Sequence, residues 1–188
     1  MHEVVSRFQA ALNAFDAPLH VMSGSEWTAP TPCSAWDVRA LVNHVVGEMC
    51  WVPPLVEGKT IADVGTSLDG DLLGDDPLAA WHHASNLAHE ALDAPGAIDG
   101  TVHLSYGDES VRGYCEQLTA DALVHGWDLA RAVGADDTLP PELVAWASGW
   151  VAQVAPLLEG SGMFAAPVPV TDDADPQTAL LAALGRAR

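Results

Sequence analysis

In the stretch LTADALVHGWDLARAVG, residues 118 to 134, a carboxylate and an imidazole stand four residues apart at Asp121 and His125. The row Tyr114, Leu118, Asp121, His125 advances in steps of four, three and four, the spacing of positions that point into a helical bundle. A second apolar stretch places His44 and Glu48 in line with Leu41, with Val45 beside them. Removing a carboxylate from water costs several kcal/mol unless something compensates. A divalent metal does so well. Asp-x-x-x-His sets two ligands side by side on one helix, and His44 can close a three-ligand site from a facing helix. Two imidazoles and a carboxylate suit zinc first, then nickel, iron or manganese, and leave positions open for water or substrate.

The same residues also read without a metal. A histidine on an apolar face is commonly a core residue with satisfied hydrogen bonds, and Asp121 can pair with Arg112 or Arg131 instead. Asp128 and Trp127 fall off the inward row, where an Asp128–Arg131 salt bridge and helix packing by the indole are the default. Glu48 reads as a neighbour of the site rather than a ligand. His103 is within reach of a pocket only if its segment folds toward one. His82 and His89, two turns apart, are too loose for a site, while His2 and His20 read as surface residues. Cys115 reads as a buried structural thiol. Spacing alone assigns no catalytic or cofactor-binding residue.

These side chains need long helices to position them. Val4, Val5, Phe8, Leu12, Phe15 and Leu19 recur at helical intervals over residues 2–22. Ser34 and Asp37 have the shape of a capping box, opening a second helix that runs through Val38, Leu41, Val42, Val45, Val46, Met49 and Val52 to a stop at Pro53-Pro54. Residues 57–76 read as a surface loop. A third helix begins at Asp76-Pro77, with Leu78, Trp81, Leu87 and Leu92 as its apolar members. GAIDGTVHLSYGDES reads as a short extended segment or hairpin. The fourth helix spans about residues 110–133 and ends on Gly134, and a fifth starts at Pro140-Pro141. The linker-like MFAAPVPVTDDADPQ precedes a short last helix. The expected fold is all-α: a four-helix bundle with a hairpin insertion and a C-terminal helical extension, in one domain over residues 1–188.

Composition narrows the function. With 26 Asp+Glu against 7 Lys+Arg, the formal net charge is -19, which repels phosphate backbones and anionic lipid. Nucleic acid and membranes are therefore poor partners. Three scattered cysteines, none in a CxxC pair, are too few and odd in number for a disulfide framework and read as reduced thiols. The N-terminus lacks a signal-peptide pattern, and no apolar run reaches membrane-spanning length. A cytoplasmic protein is expected, and its seven tryptophans offer material for a homodimer contact.

CSAWDVRALVNHVVGE around His44, DALVHGWDLARAVG around His125 and the closing MFAAPVPVTDDADPQTALLAALGR resemble a known family. They are similar to actinobacterial members of the DinB-like metal-binding bundles, and in pattern to the N-terminal domain of mycothiol-dependent maleylpyruvate isomerase. The resemblance covers nearly the whole chain. It implies a four-helix bundle with a divalent metal, often zinc, held by three residues from two helices. Carried over position by position, those ligands are His44, Asp121 and His125. The isomerase pattern has glutamate where this chain has Asp121, one methylene shorter, and a separate C-terminal domain for which this chain is too short.

The resemblance further implies mycothiol, a low-molecular-weight thiol, at the open metal position. The reaction would be thiol transfer to an electrophilic substrate, or thiol-assisted isomerisation. Metal-assisted hydrolysis with Glu48 or His103 as base is an alternative. A non-catalytic metal-binding bundle, structural or regulatory, is another.

Overall fold

Along α1 (Glu3–Leu19), Val4, Val5, Phe8, Ala11, Leu12 and Phe15 are all buried, as their spacing predicts. Large aliphatic and aromatic side chains of this kind each contribute about 1.5–3 kcal/mol by leaving water. The same periodicity builds α2 (Val38–Val56), α4 (Pro77–Asp93) and α5 (Val111–Val133). Phe8, Phe15, Leu41, Met49, Trp81, Leu123 and Trp127 are among the largest side chains that they bury completely. α1 packs along α5, α5 against α2, α2 against α4, and α4 against α1, so the four long helices close a ring. The chain is an all-α bundle with a small hairpin.

The computed structural model describes residues 2–158 and 165–188, and the chain divides into two units, Met1–Ala135 and Asp136–Arg188. The four helices of the ring lie in the first. The second holds α6 (Pro141–Leu158) and α7 (Pro176–Ala183). Within that unit the Gln177 side chain donates to the Asp137 carbonyl and accepts from the Leu139 amide, tying the start of α7 to the segment before α6. Met163 and Phe164, which open the linker-like segment, lie outside the described residues. No helix among the described residues is long and apolar enough to cross a membrane.

Several local expectations are corrected. The N-cap of α2 is Asp37 itself, whose side chain accepts from the Ala40 amide. Ser34 sits outside the helix, because a turn from Trp36 N–H to the Cys33 carbonyl and a bridge between Pro30 and Asp37 occupy that segment. Trp36 thereby leaves the helix axis. Nor does α2 stop at Pro53-Pro54: it continues to Val56, with both prolines in its last turns. Leu55, only 1% exposed, packs beyond them, and this burial offsets the lost amide donors.

The presumed loop over residues 57–76 contains a one-turn helix, α3 (Ile61–Val64), opened by a reciprocal Thr60–Asp63 capping box. On α4 the inward row is Trp81, Ala84, Ala88, Leu92; Leu87 points out and is 41% exposed, because it lies one residue off that row. The hairpin forms as expected, with β1 (Thr101–Leu104) antiparallel to β2 (Gly107–Ser110). Ser110 caps α5, and Gly134 ends it at a φ of 71°, a left-handed conformation that suits glycine.

α1 and α5 approach closely at Gly126, where an added Cβ would sit 3.2 Å from Phe15 Cα and 3.3 Å from Phe15 N. The contact is with helix backbone, which cannot rotate away. Gly126→Ala gains up to about 1 kcal/mol in helix propensity but overpacks a helix seam at a cost of about 1–3 kcal/mol. The variant is expected to unfold at lower denaturant concentration than the parent, with an unchanged m-value, in a urea titration.

Candidate metal centre

The α2/α5 seam brings His44, Asp121 and His125 together. Their ligand atoms all lie within 4.8 Å of one another. His44 Nε2 is 3.4 Å from Asp121 Oδ2, and His125 Nε2 is 3.4 Å from Asp121 Oδ1. Tetrahedral ligands at the usual zinc bond lengths stand about 3.3 Å apart. Asp121 Oδ2 is buried and has no hydrogen-bond partner. A buried carboxylate oxygen without a donor is costly, and a divalent cation held by this carboxylate and the two imidazoles, one beside each of its oxygens, can relieve it. The donor set fits such an ion. Arg112 and Arg131 are not the partners of Asp121; its neighbours are the two imidazoles, and the Arg131 guanidinium lies 5.8 Å from the Trp127 ring centre.

Sequence reasoning missed two residues that hold this trio. Asp128 is fully buried, and its Oδ2 accepts from His125 Nδ1 at 3.0 Å. That bond turns Nε2 of the same ring toward Asp121. The three-residue step from His125 to Asp128 is its signal in the sequence, hidden because Asp128 lies off the inward row. Trp36 packs its ring 4.6 Å from that of His44 and 5.4 Å from that of His125, centre to centre. It does so because the helix begins at Asp37 and not at Ser34. No periodicity reports such a contact.

The charges reinforce one another. Burial disfavours the charged forms of both Asp121 and His125, but their mutual attraction prevails. Despite burial, the imidazolium of His125, with help from His44, holds the Asp121 carboxyl well below its ordinary range. Burial pulls His125 down, yet Asp121 and then Asp128 push it up to about 9. Burial, and next the nearby Asp121 charge, raise the Glu48 carboxyl.

His44 and Glu48 also line an open groove of about 340 Å³ with Trp51 and the segment from Leu68 to Leu72. That segment is fastened to α2. The Asn43 amide donates to the Gly70 carbonyl and accepts from the Leu72 amide, and Arg39 pairs with Asp71 at 2.7 Å. The side chains of His44 and Asp121 are 27% and 24% exposed, whereas that of His125 is 5% exposed. The centre therefore has an open side at His44 and a closed side at His125.

The remaining sequence candidates lie elsewhere. His103 pairs across the hairpin with Asp108 at 2.7 Å. Cys115 is buried with its Sγ 3.9 Å from the Val4 carbonyl of α1, and burial pushes its thiol up to about 12. This is a packed, unreactive thiol. His20 and His82 do not stand alone on the surface: both engage Asp16.

The sequence model of the mycothiol maleylpyruvate isomerase N-terminal domain matches residues 8–130. The chain belongs to this family. The matched span takes in His44, Asp121, His125 and Asp128 and falls within the bundle unit. Two uncharacterized proteins, from two strains of Mycobacterium tuberculosis, are each 34% identical to it over 180 residues, covering 95% of this chain and 94% of their own. No solved structure matches the chain at a significant level.

Metal loading requires a bare Nε2 on His125. Its raised pKa means that the proton is held at neutral pH and is lost only as pH rises through about 9. Loading is expected to expel about one proton per ion, and apparent affinity to fall about tenfold for each pH unit below that value. Calorimetry in buffers of different ionisation heat measures the release. Asp128→Asn is expected to weaken the metal by about 10–100-fold in a chelator competition, because it loosens the ring that it orients.

Proposed function

We propose that this family member is a divalent-metal protein of the zinc type that uses a low-molecular-weight thiol, mycothiol, in thiol transfer to an electrophilic small molecule or in its thiol-assisted isomerisation. The observation that carries the reading is the clustering of His44 and His125 on either oxygen of Asp121, one of which is buried without a hydrogen-bond donor, with His44 also lining an open groove. Membership of a family described by a mycothiol-dependent isomerase supports the choice of thiol. When bound, a divalent ion favours thiolate over thiol and polarises a carbonyl.

The chain's own residues divide the remaining work. His125, locked by Asp128 on the closed side, would anchor the ion together with Asp121, and His44 would hold it on the side that borders the groove. Trp36 lies against both imidazoles, restricts their rotation and keeps water from that flank. Glu48 shares the groove with His44 and is placed to take up or return a proton there. The strongly acidic surface disfavours nucleic acid and anionic lipid as partners, leaving small molecules.

Glu48 also favours a second reading, metal-assisted hydrolysis with this carboxylate as base for an attacking water. Thiol dependence separates the two. Metal-loaded protein, metal-free protein and His125→Ala are titrated with mycothiol and assayed for consumption of electrophilic substrates. Binding of mycothiol to the loaded form alone, with thiol-dependent turnover, is the expected result. Turnover without thiol would establish the hydrolytic reading, and metal without either activity would leave a structural bundle. Glu48→Gln is expected to lower kcat by about 10²–10⁴-fold with metal content unchanged.

A further inference from the structure

The ring of helices has a second seam, between α1 and α4, opposite the α2/α5 seam. There Asp16 and His20 stand four residues apart near the end of α1, facing His82 near the start of α4. His20 Nε2 is 2.9 Å from Asp16 Oδ2, and His82 Nε2 is 3.1 Å from Asp16 Oδ1. The two imidazole rings stack with centres 5.6 Å apart. The three ligand atoms lie within 4.8 Å of one another, the same limit as at the first centre.

We propose that Asp16, His20 and His82 form a second divalent-metal site, selective for a zinc-type ion and serving to staple α1 to α4. Both imidazoles turn the same nitrogen toward one carboxylate, so a single ion can replace two Nε2 protons at once. Two imidazoles and a carboxylate are a donor set for zinc, nickel or copper rather than for magnesium or calcium.

The carboxylate is held from behind. The Trp81 indole, itself 1% exposed, donates to Asp16 Oδ1 at 2.8 Å. Metal-binding carboxylates are characteristically fixed by such outer hydrogen bonds. The side chains of His20 and His82 are 49% and 46% exposed, so water can complete the coordination. A net charge of -19 raises the local concentration of divalent cations around the chain.

The position says what the ion would do. The groove lined by His44 and Glu48 is on α2 and the Leu68–Leu72 segment, away from this seam. Pro18 lies in the last turn of α1 and His20 is its C-cap, so the helix ends where the ion would sit. An ion there ties that end to α4, a stabilising function and not a catalytic one.

The test uses full-length protein stripped of metal, with zinc as the probe, a chromophoric chelator as competitor, and thermal unfolding. His44→Ala removes a ligand of the first centre and is expected to retain one zinc equivalent that raises its Tm. Adding His82→Ala or His20→Ala to that variant is expected to abolish both the binding and the Tm shift. These histidines are half-exposed, so their replacement leaves the core intact, which circular dichroism checks. If His44→Ala binds no zinc, or if its zinc survives both second replacements, the second site does not exist. Those outcomes leave the first centre untouched. Conversely, zinc that is lost with His82 but indifferent to His44 would overturn the first centre and uphold the second.

Discussion

A carboxylate set between two imidazoles, with one of its oxygens buried, is the constraint that the α2/α5 seam has to satisfy. The Asp121 charge persists because His125 and His44 outweigh the loss of hydration. Each partner is itself secured. His125 is oriented by a fully buried Asp128, and both rings are covered by Trp36. Loosening any one of them would leave an uncompensated charge in the seam, which is far more costly than losing a surface ion pair.

The packing around this cluster follows from the same need for position. α5 lies tightly on α1 at Gly126, the residue directly after His125, where even a Cβ would crowd the Phe15 backbone. The fit sets the depth and rotation of α5, and with them the direction in which Asp121 and His125 point. On the other side α2 carries His44, and its register begins at the Asp37 cap. Asn43, one residue before His44, pins the Leu68–Leu72 segment that forms the far wall of the groove. Backbone packing, the placement of the two imidazoles and the carboxylate, and the wall of the groove thus depend on neighbouring residues on two helices.

The two seams of the ring show how one local pattern serves different settings. Asp-x-x-x-His with a histidine from the next helix occurs on both, but the α2/α5 cluster is largely enclosed and opens on a groove, whereas the α1/α4 cluster is open to solvent. Enclosure strengthens electrostatic interactions and makes an orphaned oxygen costly. Exposure permits the imidazoles to satisfy the carboxylate directly, as His20 and His82 do at hydrogen-bond distance.

The sequence by itself determined the four long helices, the hairpin and the inward row of α5, because hydrophobic period and capping chemistry are local and repeat over many residues. Asp121 and His125 were legible for that reason, being a polar interruption in an apolar row. His44 was legible as a second interruption, but its meeting with them depends on which helices adjoin. Tertiary structure alone decided that α2 neighbours α5 and α1 neighbours α4. It decided that Leu55 carries α2 past two prolines, since burial outweighs a missing amide donor. It brought Trp36 back onto the histidines, buried Asp128 from a position off the inward row, and turned His20 and His82, 62 residues apart, toward one carboxylate. Such contacts join residues far apart in the chain or off the periodic face, and depend on the relative placement of whole helices, which no local pattern records.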